Sequence, residues 1–354
     1  MKVLLSAVGL LICLLLGAGV GSVSIAPADQ LAILSHKLLG SALPERVPAV
    51  LVSILWTIRL PRVLTALLTG AALAVSGTVM QSVLRNPLAS SYTLGVSSGA
   101  SLGAALVMLS GFSILGRFTL PASGFLFGAC TVLLALRLTA RFDQSFSSQT
   151  IVLTGMVLSL FVSAILALLT TFAGDRLKQL VFWQMGSFSG QTWENVRLIA
   201  PIPVVCLALL LRRATEMDLL TFGDEQAQSS GVPVRRVKLL LLLLSTLLSG
   251  SVVAFVGVIG FVDLIAPHAV RRLFGSRHRL TLPMSAVYGG GFMVLCDLLS
   301  RTLLAPRELP VGAITALVGA PFFAWLFLRG RRGGLTHAGI SKRFRRLWHA
   351  GRAA

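Results

Sequence analysis

The sequence predicts an all-α polytopic membrane protein with about ten transmembrane helices, and three observations lead to this fold class. Of the 354 residues, 55% are hydrophobic and only 12% are charged, whereas a soluble domain has about 25% charged residues. Apolar runs of about twenty residues, the length that crosses a bilayer, recur along the whole chain. The four cysteines lie inside such runs without the spacing of a metal site or a disulfide framework. We therefore predict no metal, no cofactor and, despite a net charge of +19, no nucleic-acid partner.

Uncharged stretches that are long enough to span the membrane, or nearly so, follow one another along the chain. They are 3–28, 63–84, 91–116, 118–136, 144–174, 198–211, 239–262, 280–296 and 309–328. The run 261–268 is too short to cross alone and lies between glycines and an arginine pair, so it predicts a short, broken helix that brings the number to ten. The run 47–58 has about a dozen residues and begins near two prolines. It predicts an interfacial or partly buried helix.

The first apolar run and the distribution of basic residues predict the orientation. The run 3–28 follows Lys2 as in a secretory signal, but it is long, lacks a small-x-small cleavage site and leads into further spans, which favours a retained helix. Ten helices place both termini on one side. Roughly two thirds of the 31 lysines and arginines then fall on that side, which the positive-inside rule identifies as the cytoplasm.

Two patterns in the sequence suggest a catalytic or an ion-transport function. Residues 95–99 match the nucleophile-elbow pattern around Ser97, and His268 lies in a later helix, so an intramembrane serine protease is one alternative. That pattern needs a strand–turn–helix context, which the sequence does not predict. An ion-coupled secondary transporter is a second alternative, but it needs charges deep in several helices and only Asp263 qualifies. For Asp263, a place on an ion or substrate path and a structural role at a helix end both stay open.

Charged residues near the predicted helix ends form three further features. Asp297 and Arg301 are spaced as an i,i+4 pair. Arg59 and Arg62 flank Leu60 and Pro61 on the predicted outer side, where the positive-inside rule makes basic residues less frequent. Their position indicates a function there, such as binding an acidic partner. The inner loop 222–232 has acids where a helix would begin and glycine where it would end, so it predicts a short helix that is suited to docking.

Taken in order, these and further stretches resemble one family, the permease subunits of type II ABC importers for ferric siderophores, haem and cobalamin (the FecCD-like group). The stretches are Arg59-Leu60-Pro61-Arg62, Gly77-Thr78-Val79-Met80-Gln81, Asn86-Pro87-Leu88-Ala89, Leu94-Gly95-Val96-Ser97-Ser98-Gly99-Ala100, Trp183-Gln184-Met185-Gly186-Ser187, 223–231, Gly260-Phe261-Val262 with Pro267-His268, Asp297 to Arg301, and Glu308-Leu309-Pro310-Val311-Gly312. The resemblance runs from about Arg59 to Arg329. We divide a single permease domain into a first helix and outer segment (1–58), a family core (59–329) and a basic cytoplasmic tail (330–354).

The resemblance implies a non-enzymatic subunit in a bacterial cytoplasmic (inner) membrane. It implies a second permease copy, with the substrate path along the interface, cytoplasmic ATPase subunits, a substrate-binding protein outside and contact with membrane lipids. Arg59, Arg62 and Arg301 match arginines that face acidic residues of the binding protein.

The resemblance also implies roles for residues on the inner side. The ATPase coupling helix corresponds to Gly223, Asp224, Glu225, Ala227 and Gly231, and the inner gate corresponds to Asn86, Leu88, Ser147 and Ser148. The sequence departs from the family at Asp263, where glycine is usual, and at Ser230, where leucine is usual. The first departure puts the substrate path in question and the second puts the ATPase contact in question.

Overall fold

The structure, a computed structural model, describes residues 1–322 and 324. That part of the chain is helical and contains no β-strand, which confirms the predicted fold class. The predicted basic tail 330–354 lies outside the described residues. The helices are α1 (Lys2–Gly19), α2 (Pro27–Leu39), α3 (Ala49–Ser53), α4 (Leu60–Val83), α5 (Val96–Ser110), α6 (Thr119–Phe142), α7 (Ser148–Thr171), α8 (Leu177–Gln184), α9 (Trp193–Ile199), α10 (Pro201–Arg212), α11 (Ala214–Thr221), α12 (Asp224–Ser229), α13 (Val234–Val256), α14 (Val262–Phe274), α15 (His278–Thr302) and α16 (Val311–Phe322).

Seven helical stretches in the described part are long and apolar enough to cross a membrane. They are α1, α3 joined to α4, the Gly116–Phe142 stretch that ends with α6, α7, α9 joined to α10, α13 and α15. With the shorter α5, α14 and α16 they give the ten membrane helices that the sequence predicts. Large apolar side chains are exposed along α1, α7 and α10, as expected of helices whose outer faces contact lipid.

The second membrane helix begins earlier than the sequence predicts. The run 47–58 is not a separate interfacial helix, because α3, a π-helical stretch (Ile54–Arg59) and α4 form one continuous helix, Ala49–Val83. Pro61 has no amide hydrogen to donate within a helix. The wider π-helical turns before it are a usual way for a helix to absorb such an interruption.

The helices that form in the predicted spans 3–28 and 91–116 are shorter than the apolar runs. The helix α5 has only 15 residues because Gly95 (φ 91°) and Gly111 (φ 70°) take left-handed conformations at its two ends. The first run ends as a helix at Gly19, and its remainder turns into α2, which begins at Pro27. Apolar composition in these runs therefore extends beyond the helices themselves.

The helix α4 forms the centre of the bundle and is buried along nearly its whole length. It packs against α13, α14 and α15. A Cβ atom at Gly70 would overlap the backbone of Gly289 in α15, and a Cβ at Gly77 would overlap the backbone of Asp263 in α14. The small residues of α4 therefore allow direct backbone contact between membrane helices.

The predicted broken helix is present as α14. Gly257 (φ 79°) ends α13, a short non-helical segment follows, and Phe261 (φ 70°) precedes α14. The helix reaches Phe274, beyond the predicted end at residue 268.

Candidate functional site

The predicted short helix on the loop before α13 exists as α12. Gly223 (φ 127°) precedes it and Gly231 (φ 84°) follows it, and both backbone conformations favour glycine. Ala227 is completely buried, whereas Glu225 is exposed. The helix therefore has an inward face that packs on the bundle and an outward acidic face.

A groove of about 940 Å³ runs beside α12 at the end of the bundle where α4 ends and α13 begins. Its lining includes Arg85, Phe222, Glu225, Arg235 and Arg236. The side chain of Phe222 is 74% exposed there. A concave surface with exposed aromatic and charged groups beside a short helix is suited to receive a protein partner.

The side chain of Asp224, which is 28% exposed, reaches from α12 back to the bundle. Its Oδ2 accepts a hydrogen bond from Nζ of Lys238 at 2.6 Å and lies 3.8 Å from a guanidinium nitrogen of Arg85. Lys238 is completely buried and also donates to the carbonyl of Phe146 at 3.3 Å. Asp224 thus ties α12 to the start of α13, while Glu225 is the acid that the helix presents outward.

A second polar contact joins the neighbouring helix α11 to the bundle. The backbone amide of His278 donates to Asp218 Oδ1 at 3.0 Å, and Nδ1 of the same residue lies 2.5 Å from that oxygen. The Nε2 atom lies 2.5 Å from the hydroxyl of Ser82 near the end of α4. Ser82 and His278 are buried, so this serine–histidine–aspartate arrangement has no access for a substrate and connects three helices instead.

The residues assigned to an inner gate lie at the same end of the bundle and have structural contacts. Asn86 Oδ1 accepts from the amide of Leu88 at 2.9 Å, and the Leu88 side chain is 61% exposed. Ser147 caps α7 through the amide of Thr150, and Ser148 donates to the carbonyl of Val83 at 3.0 Å. These contacts join the ends of α4 and α7; the gate role stays a prediction.

The loop that leads into Ser147 is organised by Asp143. Its carboxylate accepts from the hydroxyl and the amide of Ser145 and from the amide of Ser147. These hydrogen bonds, of which the one from the Ser145 hydroxyl is the strongest, hold the pKa of Asp143 well below its usual range. Phe146, which follows with φ 55°, is buried and directs its carbonyl to Lys238.

Arg59, Arg62 and Arg301 cluster at the opposite end of the bundle, and all three contact the chain itself. Arg62 donates to Asp297 at 2.9 Å and to Glu308 at 2.7 Å. The predicted i,i+4 pair is present, with 3.5 Å between Arg301 Nε and Asp297 Oδ2.

The same arginines also hold the end of α1. Arg59 donates to the carbonyls of Ala18 and Gly19, and Arg301 donates to that of Val20 at 2.9 Å. The side chains of Arg62 and Arg301 are only 11% and 9% exposed. In this conformation the arginines brace α1, α4 and α15, and the contact with a binding protein stays a prediction.

The environment of Asp263 favours the structural interpretation. The carboxylate is buried in the first turn of α14, and Oδ2 accepts from the hydroxyl of Ser90 and from the amide of Ser91. These donors belong to the 3₁₀ turn Ser91–Leu94 and the residue before it. The Gln81 amide group also donates to the Asp263 carbonyl at 3.0 Å. Asp263 therefore holds the start of α5 against α14.

The two residues of the protease alternative do not form a catalytic pair. Ser97 lies in the first turn of α5 behind a 3₁₀ turn, and no strand precedes it. The ring of His268 packs edge-on against Phe322, with ring centroids 6.5 Å apart. Within residues 1–322 and 324, no group of three or more metal-ligating side chains comes together.

Several residues that organise these sites were missed by sequence reasoning. Lys238, Asp218 and His278 gave no motif signal, although Lys238 is the last of three basic residues, with Arg235 and Arg236, before a long apolar run. Glu308 was noted only as part of a family motif. Their partners are 14 to 246 residues away in sequence, so spacing alone could not pair them.

Comparison with known proteins supports one family. Residues 9–329 match the FecCD transport family. The chain is 40% identical over 327 residues to an uncharacterized ABC transporter permease protein, YvrB, of Bacillus subtilis, covering 92% of each chain. It is also 40% identical over 277 residues to the hemin transport system permease protein HmuU of Yersinia pestis, covering 77% of this chain and 83% of that one.

The fold matches a solved structure as well. A metal-chelate type ABC transporter in an inward-facing conformation superposes with a TM-score of 0.80 at 34% identity, covering 93% of this chain and 99% of that chain.

Proposed function

Because the chain belongs to the FecCD transport family, an ABC transporter permease family and not an enzyme family, we propose that it forms, with a second permease copy, the membrane path of an importer for a metal chelate such as a ferric siderophore, haem or cobalamin. ATP hydrolysis takes place on separate ATPase subunits in the cytoplasm, and a substrate-binding protein delivers the cargo from outside. The observation that carries this proposal is the presence of α12, a glycine-bounded helix beside an open groove, in a bundle that resembles a metal-chelate transporter over nearly its whole length.

The acidic residues buried in the bundle favour a path for bulky cargo that the permease itself binds only weakly. The two acidic residues that are buried in the described part of the bundle both have partners, Asp263 with Ser90 and Ser91 and Asp297 with Arg62. Affinity then comes from the binding protein, and the bundle alternates between outward-open and inward-open states by rigid-body movement. The positive-inside rule places both termini and α12 in the cytoplasm of a bacterial cell.

Coupling to the ATPase belongs, in this proposal, to the exposed face of α12 and the groove beside it. Glu225 and Phe222 are exposed there, and Gly223 and Gly231 give the loop its shape. Ser230, where the family usually has leucine, is also exposed. It therefore changes the contact surface without disturbing the buried face at Ala227.

Docking of the binding protein belongs to the opposite end, at the cluster of Arg59, Arg62 and Arg301. Arg62 is the point of access, because its partner Glu308 has a side chain that is 40% exposed. We propose that an acidic side chain of the binding protein takes the place of Glu308 at Arg62. Replacing Glu308 by Gln should then tighten the association several-fold, and more at low salt. An association constant that does not change would contradict docking at Arg62.

The function is tested by reconstituting the chain with its ATPase and binding protein in lipid vesicles. Uptake of the chelate that co-purifies with the binding protein should require ATP and all three components. Ser97→Ala should transport normally, which separates the importer from a protease. Uptake that continues without ATP would overturn the proposal in favour of an ion-coupled carrier.

A further inference from the structure

The importer function by itself does not explain why the ammonium group of Lys238 is buried. Its side chain is fully buried in the second turn of α13. Lysine is almost never fully buried unless its charge is paired, because removing an ammonium group from water is costly. Here the charge meets Asp224 Oδ2 at 2.6 Å and the Phe146 carbonyl at 3.3 Å.

The two acceptors belong to different cytoplasmic-end segments. Asp224 is the first residue of α12, and Phe146 lies in the loop between α6 and α7. A single side chain on α13 therefore contacts both the proposed coupling helix and the loop that leads to Ser147. The guanidinium of Arg85, from the loop after α4, adds a second cation near the same carboxylate oxygen of Asp224.

The helix α12 needs such an anchor. It has only six residues, and a helix of that length is not stable in isolation because nucleation costs more than a few hydrogen bonds return. The preceding helix α11 is held separately, through the contact of Asp218 with His278. The segment that contains α11 and α12 is thus attached to α13 on one side and to α15 on the other.

We propose that Lys238 is a positioning residue that fixes α12 to α13, so that a displacement of α12 moves α13 instead of bending the loop. On this view Asp224 holds the helix from inside, and Glu225 is left as the acid that faces the ATPase. The link to ATPase-driven movement rests on the proposed function, whereas the anchoring itself concerns this chain alone.

Anchoring is tested by hydrogen exchange on the full-length permease in detergent or nanodiscs, without partners. In Lys238→Met and in Asp224→Asn, the amides of 224–230 should exchange at least tenfold faster. The double variant should exchange no faster than the faster single variant, because both substitutions remove the same ion pair. Arg236→Gln, which removes an exposed charge from the same helix, is the matched control and should leave these amides unchanged.

The result that overturns anchoring is unchanged exchange of 224–230 in both single variants. Faster exchange throughout α13, including 241–256, would also overturn it, because that indicates a general contribution to stability. If Lys238→Met does not fold, Asp224→Asn decides the question alone, since it leaves Lys238 bonded to the Phe146 carbonyl.

Positioning is tested in the complete importer by the ratio of ATP hydrolysed to substrate transported. Lys238→Met should raise this ratio at least fivefold, and Lys238→Arg, which keeps the charge, should restore much of the coupling. Looser α12 amides with an unchanged ratio would show a purely structural contact. Failure of the unaltered chain to bind any ATPase would contradict the proposed function while leaving the anchoring result intact.

Discussion

Replacing Asp297 by Asn tests whether the arginine cluster is a structural brace. The carboxylate is completely buried and lies between Arg62 Nε, at 2.9 Å, and Arg301 Nε, at 3.5 Å. Asparagine keeps the volume and can still accept a hydrogen bond from Arg62, but it removes the negative charge that both guanidinium groups share. The substitution therefore isolates the electrostatic part of the contact.

The size of the effect follows from the contacts that remain. Breaking a buried ion pair by removing one partner costs about 3–5 kcal/mol. Arg62 keeps its hydrogen bond to Glu308, and Arg301 keeps that to the carbonyl of Val20. We therefore expect a loss near the lower end, about 3 kcal/mol. Glu308→Gln removes only a partner that is 40% exposed, and it should cost about 0.2–1 kcal/mol.

The assay is equilibrium unfolding in mixed micelles, followed by the fluorescence of the five tryptophans. Asp297→Asn should unfold at a clearly lower denaturant fraction than Glu308→Gln, and the double variant should show whether Arg62 depends on both acids. If Asp297→Asn and Glu308→Gln shift the midpoint equally, the buried carboxylate does not brace the three helices. The arginines would then be free to exchange partners, and the reasoning from burial would be refuted.

Three further predictions concern other contacts. Gly77→Ala should destabilise by about 1–3 kcal/mol, because its Cβ would overlap the backbone of Asp263, while Gly9→Ala, whose Cβ meets open space, should be neutral in the same unfolding assay. Ser90→Ala should cost about 1–3 kcal/mol by removing a donor to the buried Asp263 carboxylate; an unchanged midpoint would contradict the structural role of that acid. Asp143 has a lowered pKa in the folded protein, so its contribution is present above the unfolded value of about 3.9 and is lost as the pH falls through the folded value. Asp143→Asn should therefore make loop protection, measured by hydrogen exchange, less dependent on pH below about 4, and an unaltered pH profile would count against the hydrogen-bonded loop.

The buried contacts at the two ends of the bundle differ in what they connect. At one end the arginines bind carbonyls and carboxylates of membrane helices, which favours a fixed frame. At the other end Lys238 and His278 bind the segment that carries α12. A bundle that is rigid at one end and joined to the short helix α12 at the other is suited to movement of whole helices, because packed interfaces shift between discrete arrangements and do not deform continuously.

Sequence by itself determined the fold class, the number of membrane helices and the existence of α12. Long apolar runs have one solution in a bilayer, where every backbone amide and carbonyl must be bonded within the helix. Glycine and acidic residues also mark helix ends locally, as at Gly223 and Gly231. The ordered motifs were specific enough to indicate the family.

Only the tertiary structure decided where the helices begin and which charges meet. The π-helical stretch that joins α3 to α4 could not be predicted, because apolar composition does not reveal how a helix absorbs Pro61. Asp224 and Arg62 read as surface charges in the sequence, yet Asp224 is paired with Lys238, 14 residues away, and Arg62 with Asp297, 235 residues away. The sequence gives the sign of each charged side chain. Its burial and its partner depend on which helices pack side by side, and contacts across the whole bundle determine that packing.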